Sequence, residues 1–444
     1  MRVNLIEQVN NAGVIGAGGA GFPTHVKLSA TAEFILLNGA ECEPLLRVDQ
    51  QLMEIYPDEI ILGFQSAGKA VGAKKAYLCI KEKHGKVISI LRERIEALNA
   101  SPFVEVTPLP DVYPAGDEQI LVYTVTGRSV PEAGIPLNVG CVVINSETAL
   151  NIFNASKGLP VTEKFITVAG DIPNRVTVKV PVGTPIMDVL KQSGLDSFDD
   201  YAVIDGGPMM GPVMTDLSGH VGKKHKGFVI LKKDHSLIRK KTTTIEQARH
   251  INISACAQCR MCTDLCPRYL IGHNVEPHKS MRIQNYGLND VEGKSHAQLC
   301  CMCNLCELFS CPAGLHPKLA NDALRRDLAE QNIRYQASGN EPAARQNREY
   351  RQVPSKRLTA RLGLSTYDKA APLQEVVCAP EAVCIPIDSH VGAPAIPTVS
   401  VGDHVQAGQC IGVAAEGKLG APVHSSIAGT VIGIENNHIV IRRG

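Results

Sequence analysis

The stretch "VIGAGGAGFPTHVKL", residues 14–28, combines a glycine loop with the start of a helix. Its glycines have the G-x-G-x-x-G spacing of a dinucleotide-binding loop, at Gly16, Gly18 and Gly21. That fingerprint must follow a strand and open a helix, whereas the preceding "LIEQVNNAGV" has helical spacing. Pro23 would also interrupt the helix, unless it lies in the first turn. We therefore predict a glycine loop that lets a phosphate or a ring approach the backbone, but not a Rossmann site.

Residues 1–160 alternate strand-like and helix-like segments around this loop. "EFILLNGAE" and "KAYLCIK" are short apolar runs typical of buried strands, whereas "PDEIILGFQSAGKAVGA" and "GKVISILRERIEAL" have the apolar spacing of helices. "VGCVVINSETALNIF" indicates a strand, a loop and a helix start, with Ser146 or Thr148 as the cap. This alternation predicts an α/β domain with a mostly parallel sheet.

The composition disfavours several classes of function. The 444 residues carry 45 basic and 44 acidic side chains, so there is no electrostatic case for a nucleic acid or a membrane surface. Aromatic residues make up 4% and Trp is absent, which disfavours base stacking. No apolar run reaches the roughly 18 residues that a membrane span needs, and the N-terminal segment lacks the apolar region of a signal peptide. These features predict a cytoplasmic protein.

Two cysteine motifs, each closed by Cys-Pro, lie within residues 245–330. The first is C-x2-C-x2-C-x3-C-P, at Cys256, Cys259, Cys262 and Cys266. The second is C-x2-C-x2-C-x4-C-P, at Cys300, Cys303, Cys306 and Cys311. Three such thiolates can bind three corners of an iron–sulfur cube, while the fourth ligand comes from the other motif. The spacing therefore favours a helical ferredoxin-like domain with two 4Fe–4S clusters over zinc sites, whose ligands usually form two spaced pairs.

Because each cluster takes its fourth ligand from the other motif, the two sets of cluster ligands can be assigned. One cluster is expected on Cys256, Cys259, Cys262 and Cys311. The other is expected on Cys300, Cys303, Cys306 and Cys266. Cys301 is out of register and is interpreted as a neighbour of the second cluster. Because clusters carry single electrons, a two-electron donor also requires a group that divides electron pairs, such as a flavin.

Four segments of the chain resemble one family of flavoproteins. They are "GAGGAGFPTHVKL", "NGAECEP" from Asn38, "YPAGDEQ" from Tyr113 and "VINSETA" from Val143. Together they resemble the flavin-binding core of the family that contains the NADH-oxidising 51-kDa-type subunit of respiratory complex I and the C subunit of the Rnf electron-transfer complex. "GGPMMGP" from Gly206 and the double cysteine motif extend the resemblance to the Rnf-type branch, over most of residues 1–330.

This resemblance implies FMN as a cofactor and NADH as the electron donor. The implied FMN ligands are Gly16, Gly18, Gly19, Gly21, Lys27, Asn38, Asn145 and Thr148. It also implies that Glu41 and Glu43 line the place where flavin and nicotinamide stack, which makes them the candidate catalytic pair. Asp117 and Glu118 correspond to acidic residues near the nucleotide in the complex I subunits. The chemistry agrees, because Lys27 can neutralise a phosphate and the amides can serve both donors and acceptors of a flavin edge.

The remaining segments complete a multidomain α/β chain. Residues 161–240 resemble the soluble-ligand-binding β-grasp domain of the same family, and both a ligand-binding role and a spacer role stay open. Residues 331–375 are polar and Arg-rich, which predicts a linker or a surface segment. Residues 376–444 are short β runs with glycines and resemble a barrel-sandwich hybrid, the fold of biotinyl and lipoyl carriers. The sequence around Lys418, "EGKLG", lacks the carrier pattern, so we expect no covalent modification there.

The order of these parts narrows the resemblance. The β module follows the cysteine motifs, whereas in Rnf-type C subunits it precedes the flavin domain, and this order is similar to that of the cobalamin reductases of bacterial propanediol-utilisation microcompartments. The resemblance implies transfer of electrons from NADH to cobalamin for recycling of coenzyme B12. It implies a corrinoid adenosyltransferase and microcompartment shell or lumen proteins as partners. The alternatives are an Rnf C-like component of a membrane complex and a non-enzymatic electron-transfer component of a microcompartment.

Overall fold

A four-stranded parallel sheet organises the first part of the chain in a computed structural model that describes residues 2–337, 339, 341–374 and 378–444. The strands of this part are β1 (Phe34–Gly39), β2 (Lys75–Lys81), β3 (Val104–Leu109), β4 (Val112–Tyr113) and β5 (Cys141–Asn145). The sheet has the order β3-β2-β1-β5. Its helices are α1 (Arg2–Asn11), α2 (Thr24–Ser29), α3 (Val48–Ile55), α4 (Pro57–Ala70), α5 (Gly85–Ala97), α6 (Glu118–Thr126) and α7 (Ser146–Ser156). The predicted parallel α/β domain is confirmed.

Successive residues of β1 face two different cores. Ile35 and Leu37 pack in the core that contains residues of α4 and α7, whereas Leu36 packs in a second core that contains residues of α6. Burial on both faces explains why this strand is an uninterrupted apolar run.

The junction of β5 and α7 differs from the prediction. No loop separates them, and the helix cap is Asn145, whose side chain accepts a hydrogen bond from the Glu147 N–H at 3.0 Å. Ser146 and Thr148, predicted as caps, lie inside the helix. The prediction was wrong because Asn is as good a cap as Ser or Thr, and here it is also the last residue of the strand.

A second, mixed sheet follows. It is built from β6 (Glu163–Gly170), β7 (Val176–Pro181), β8 (Tyr201–Asp205) and β9 (Gly227–Lys232), with helices α8 (Ile186–Leu190) and α9 (Ser236–Lys241). The β6–β7 and β8–β9 pairs are antiparallel, whereas β6 and β9 are parallel. The module thus has the predicted α+β character.

Helices and short loops carry the cysteine motifs. The helices are α10 (Ile245–Ala255), α11 (Met261–Asp264), α12 (Pro267–Leu270), α13 (Pro277–Tyr286), α14 (Val291–Ser295) and α15 (Pro317–Glu330), with a π-helical turn at Cys306–Ser310. No helix among the described residues is long and apolar enough to cross a membrane.

The segment predicted as a linker pairs with strands of the first domain and of the second sheet. It contains β10 (Val353–Pro354), which pairs with β4, then α16 (Ser355–Arg361) and β11 (Leu373–Gln374), which extends the second sheet beside β7. The predicted boundary at 375–376 lies outside the described residues.

The C-terminal part is entirely β. Its strands are β12 (Ala382–Pro386), β13 (Ile396–Pro397), β14 (His404–Val405), β15 (Cys410–Val413), β16 (Val423–His424), β17 (Gly429–Glu435) and β18 (His438–Arg443). They form two sheets, β12-β18-β17-β14 and β13-β15-β16, which share one apolar core. This is the layered arrangement expected of a barrel-sandwich hybrid.

Candidate cofactor sites

A cavity of about 340 Å³ lies where β1 and β5 end. This volume lies within the range of small-molecule sites. Most of the residues predicted to bind FMN or nicotinamide line it, namely Gly16, Gly18, Lys27, Asn38, Glu41, Glu43, Asp117, Glu118, Asn145 and Thr148. Gly19 and Gly21 belong to the same loop but are not part of the lining. The structure thus brings together residues more than 100 positions apart in the sequence.

The glycine loop is closed by its own backbone. The Gly16 N–H donates to the Phe22 carbonyl at 2.9 Å, and the Gly21 N–H donates to the Gly16 carbonyl at 3.1 Å. Thr148 holds the loop through its Oγ1, which accepts from the Ala17 N–H at 3.0 Å. The loop follows α1 and precedes Pro23, which stands just before α2, so the structure agrees with the rejection of a Rossmann loop.

Lys27 and Glu118 face the cavity as an ion pair. The Lys27 Nζ lies 3.2 Å from Glu118 Oε1 and also donates to the Val143 carbonyl at 3.0 Å. Both side chains are partly exposed, so the pair is free to rearrange when an anionic group enters. Lys27 therefore has the position, the charge and the freedom to move that the predicted phosphate contact needs.

The two cavity asparagines are held in place by neighbouring groups. The Asn38 Nδ2 donates to the Gly116 carbonyl at 2.8 Å, and the Asn145 Nδ2 donates to Asp49 Oδ1 at 2.9 Å. Oriented amides of this kind offer fixed donors and acceptors to a heteroaromatic ring.

Asp49 and Lys226 also line the cavity, although they were not predicted from the sequence. The Lys226 Nζ lies 2.5 Å from Asp49 Oδ2, and Asp49 is 3% exposed. Asp49 Oδ1 also accepts hydrogen bonds from Asn145 and from the Ser146 hydroxyl. Lys226 directly precedes β9 of the second sheet. It ends the run "KKHK", which has the appearance of a solvated surface, so no sequence signal marked it.

Glu41 precedes α3 in the chain, and its carboxylate lies beside this pair at the N-terminus of that helix. Its Oε1 accepts from the Asp49 N–H at 2.8 Å. Burial, reinforced by the nearby Asp49 carboxylate, raises the pKa of Glu41 to about 7. Glu41 can therefore change its protonation state near neutral pH at the wall of the cavity.

Glu43 is turned towards the second sheet. Its carboxylate accepts from the N–H groups of Met209 and Met210, at 2.8 and 2.9 Å. Burial raises the pKa of Glu43, an effect that the two backbone donors oppose. Its predicted role beside flavin and nicotinamide stays a prediction, because its hydrogen bonds in this structure join two parts of the fold.

Asp117 links the cavity to the cysteine motifs. Its Oδ1 accepts from the N–H groups of Gln119 and Ile120 and caps α6. Its Oδ2 accepts from Arg268 at 2.8 Å, two residues after Cys266. The predicted nucleotide contact of Asp117 would have to compete with this ion pair, in which both side chains are largely buried.

The first predicted set of cluster ligands surrounds a separate cavity of about 110 Å³. Its lining includes Cys256, Cys259, Cys262 and Cys311. Burial, followed by the proximity of the Cys311, Cys256 and Cys259 thiols, raises the pKa of Cys262 to about 12. Thiols this hard to ionise release their protons when they bind metal, so an iron–sulfur group would be coupled to proton release.

The second predicted set lies against the 340 Å³ cavity, which we name the flavin cavity after its predicted ligand. Burial and neighbouring cysteines, Cys300 among them, raise the pKa of Cys266 and of Cys306. Cys303 and its neighbour Cys301 line the 340 Å³ cavity itself. The Cys303 carbonyl accepts a hydrogen bond from the Tyr113 hydroxyl at 2.7 Å, which fixes this loop to the first domain.

The donor sets fit the implied groups. Lys27, the oriented amides and the close backbone of the glycine loop are suited to a phosphate and a heteroaromatic ring. In the described part of the chain, no three His, Cys, Asp or Glu side chains are arranged to hold a single metal ion. Each of the two predicted cysteine sets supplies four thiols, the number of ligands that a 4Fe–4S cluster takes.

Comparisons with known proteins match three parts of this arrangement. The Nuo51 FMN-binding domain matches residues 9–154, a 4Fe-4S dicluster domain matches 255–316, and the RnfC barrel sandwich hybrid domain matches 366–443. The chain is 42% identical over 440 residues to the cobalamin reductase PduS of Citrobacter freundii and to that of Salmonella typhimurium, covering 99% of this chain and 96% of each relative. It is 34% identical over 275 residues to the C component of the Na(+)-translocating ferredoxin:NAD(+) oxidoreductase complex of Acetobacterium woodii, covering 61% of this chain and 59% of that protein.

Proposed function

The chain belongs to the family of the PduS cobalamin reductases, and we propose that it passes electrons from NADH, through FMN and two 4Fe–4S clusters, to cobalamin. The observation that carries this proposal is the contact between two sites. Cys303, a predicted cluster ligand, lies on the wall of the cavity that the predicted FMN ligands form. A flavin bound there would be adjacent to a one-electron acceptor.

The chemistry that FMN supplies when bound is the conversion of a hydride from NADH into single electrons. The chain's own residues bind and orient it. Lys27 and Lys226 supply positive charge, the amides of Asn38 and Asn145 supply fixed donors and acceptors, and Glu41 can hold or release a proton near neutral pH. The surrounding apolar residues exclude water and so strengthen each of these electrostatic interactions.

The positions of the cysteines support a direction of transfer. Cys303 lines the flavin cavity and is buried, whereas Cys259 of the other set is exposed. A molecule as large as cobalamin can approach the Cys259 side, while the Cys303 side is covered by the first domain. We therefore place the exit of electrons at the set that contains Cys259.

The test uses anaerobically purified protein reconstituted with FMN, iron and sulfide. NADH is expected to bleach both the flavin band and the broad iron–sulfur absorption, and added cob(III)alamin should then show the spectrum of lower-valent cobalt. Protein that is loaded with FMN but oxidises no NADH and leaves the cobalt spectrum unchanged would contradict the proposal.

The chemistry of the product suggests the partners. Low-valent cobalt is readily re-oxidised, so an enzyme that consumes it should bind close by, and a corrinoid adenosyltransferase fits this requirement. We also propose a location within a microcompartment, in contact with shell or lumen proteins. Co-purification of these proteins with the tagged chain, compared with the tag alone, tests both inferences.

A further inference from the structure

The loop 206–211, "GGPMMG", lies where the flavin cavity meets the second cysteine set, and we name it the junction loop. On one side it is bound by Glu43, whose carboxylate accepts hydrogen bonds from the N–H groups of Met209 and Met210. Glu43 follows β1 by a few residues, so this contact ties the second sheet to the wall of the flavin cavity.

On the other side the junction loop is bound by the cysteine-rich domain. The Asn304 Nδ2 donates to the Met209 carbonyl at 2.9 Å, and Asn304 directly follows Cys303. Lys241, at the end of α9, donates to the carbonyls of Met209 and Gly211 at 3.1 and 2.6 Å. Met209 is therefore held at its N–H by Glu43 of the flavin domain, and at its carbonyl by Lys241 and by Asn304, the neighbour of a predicted cluster ligand.

The glycines of the junction loop permit this close packing. A Cβ added at Gly207 would lie 2.2 Å from Glu43 Oε2, and one added at Gly211 would lie 2.4 Å from the Asp205 carbonyl. Met209 is fully buried and Asn304 is 8% exposed, so the hydrogen bond between them is shielded from water. A buried, fully paired peptide of this kind fixes its neighbours more rigidly than a surface contact does.

We propose that the junction loop is a positioning device that sets the separation between the flavin cavity and the cluster on Cys303, and thereby the rate of electron transfer between them. The proposal rests on the proposed function. Electron tunnelling falls steeply with distance, so a small displacement of the Cys303–Asn304 segment slows transfer without changing the chemistry of either site. This assigns to the second sheet a spacer role, which the sequence left open beside ligand binding.

The test removes the Asn304 side chain from the reconstituted holoenzyme. Asn304 has φ 66°, a conformation that glycine adopts freely, so Asn304→Gly removes the amide without backbone strain. After rapid anaerobic mixing with NADH, the flavin band should bleach at the wild-type rate and with an unchanged KM for NADH. The iron–sulfur band should bleach about tenfold more slowly, as is typical when a residue that orients a metal ligand is lost.

Two further variants make the result decisive. Asn285→Ala changes an asparagine of the same domain that is also 8% exposed. None of the described hydrogen bonds of the junction loop involves Asn285. Bleaching of the flavin band (the flavin phase) and of the iron–sulfur band (the cluster phase) should therefore match the wild type. Lys241→Met removes two hydrogen bonds to the loop without changing a neighbour of a ligand and should slow the cluster phase, whereas Lys241→Arg should restore much of the rate. Iron content is measured in each variant. If Asn304→Gly contains less iron than the wild type, the rate of the cluster phase in Lys241→Met is the test of the proposal.

Two outcomes separate the proposals. A cluster phase of wild-type rate in both Asn304→Gly and Lys241→Met would overturn the role of the junction loop. Failure of NADH to bleach the flavin in the wild-type holoenzyme would instead contradict the proposed function.

Discussion

Asp49 shows how one side chain can organise a cofactor cavity. Its carboxylate accepts hydrogen bonds from Lys226, Asn145 and Ser146, and its N–H donates to Glu41. Asn145, Ser146 and Glu41 belong to the first domain, whereas Lys226 directly precedes β9 of the second sheet. The arrangement leaves Lys226 as a cation that is neutralised but still borders the cavity, where it can respond to an anionic ligand.

We predict that Lys226→Gln weakens FMN binding. The substitution removes a charged hydrogen-bond donor from the cavity wall and leaves the buried Asp49 without its cation. Loss of such a group costs about 1.5–3 kcal/mol, so the Kd for FMN should rise at least about tenfold, measured by quenching of flavin fluorescence. Lys233→Gln, at an exposed lysine just beyond β9, is the matched control and should leave the Kd unchanged. An unaltered Kd in Lys226→Gln would remove Lys226 from the cofactor site.

Glu41 predicts a pH dependence of stability. Its pKa is raised from 4.5 to about 7, so its contribution to stability is fully present below pH 4.5 and is lost as the pH rises through 7. Glu41→Gln mimics the neutral form, and its thermal midpoint relative to wild type should therefore rise between pH 5 and pH 8. The shift corresponds to at most about 3 kcal/mol. Midpoints that stay parallel over this range would show that Glu41 titrates normally.

The cavity residues that were predicted from the sequence are placed by the parallel sheet, whereas Lys226, which was not predicted, is placed by contacts between domains. Asn38 and Asn145 are paired near the ends of the adjacent parallel strands β1 and β5, so their proximity follows from the sheet once the strands are recognised. Lys226 reaches the cavity only because the second sheet docks on the first domain. That docking depends on tertiary contacts such as Glu43 with Met209, which leave no periodic signal in the sequence.

The secondary structure of the chain was predictable where a short pattern decides it. "KAYLCIK" coincides with β2, and "GKVISILRERIEAL" exceeds α5 by one residue. The pattern failed at β5 and α7, where a single asparagine both ends the strand and caps the helix. It also gave no indication that β10 and β11 in the Arg-rich segment pair with strands of two earlier parts.

The exchange of the fourth cysteine between the motifs predicts two distinct phenotypes. Cys311→Ser should remove the cluster on the Cys256 motif, so that NADH still bleaches the flavin and the other cluster but cobalamin reduction is lost. Cys266→Ser should remove the cluster beside the flavin, so that NADH bleaches only the flavin. Iron content should fall by about half in each variant. Identical spectra of the two variants after NADH addition would contradict the crossed assignment.

The C-terminal β part extends the architecture of the flavin site beyond the domain that forms it. The Val391 N–H donates to the Gly21 carbonyl at 2.9 Å, which fixes the end of the glycine loop. The buried Lys223 donates to the Gly13 carbonyl at 2.8 Å and lies 3.4 Å from the Pro422 carbonyl. The sequence predicted the fold of this part, but its contact with the glycine loop depends on the assembly of the whole chain.

These contacts predict that the β part slows the release of FMN. Lys223 does not line the cavity, yet Lys223→Gln leaves the buried Gly13 carbonyl poorly paired, at a cost of about 1–3 kcal/mol, and loosens the base of the glycine loop. The dissociation rate of FMN, followed by the recovery of flavin fluorescence on dilution, should rise at least about threefold. Lys418→Gln changes an exposed lysine of the same β part and should leave the rate unchanged. Equal rates in both variants would contradict a role of Lys223 in supporting the glycine loop.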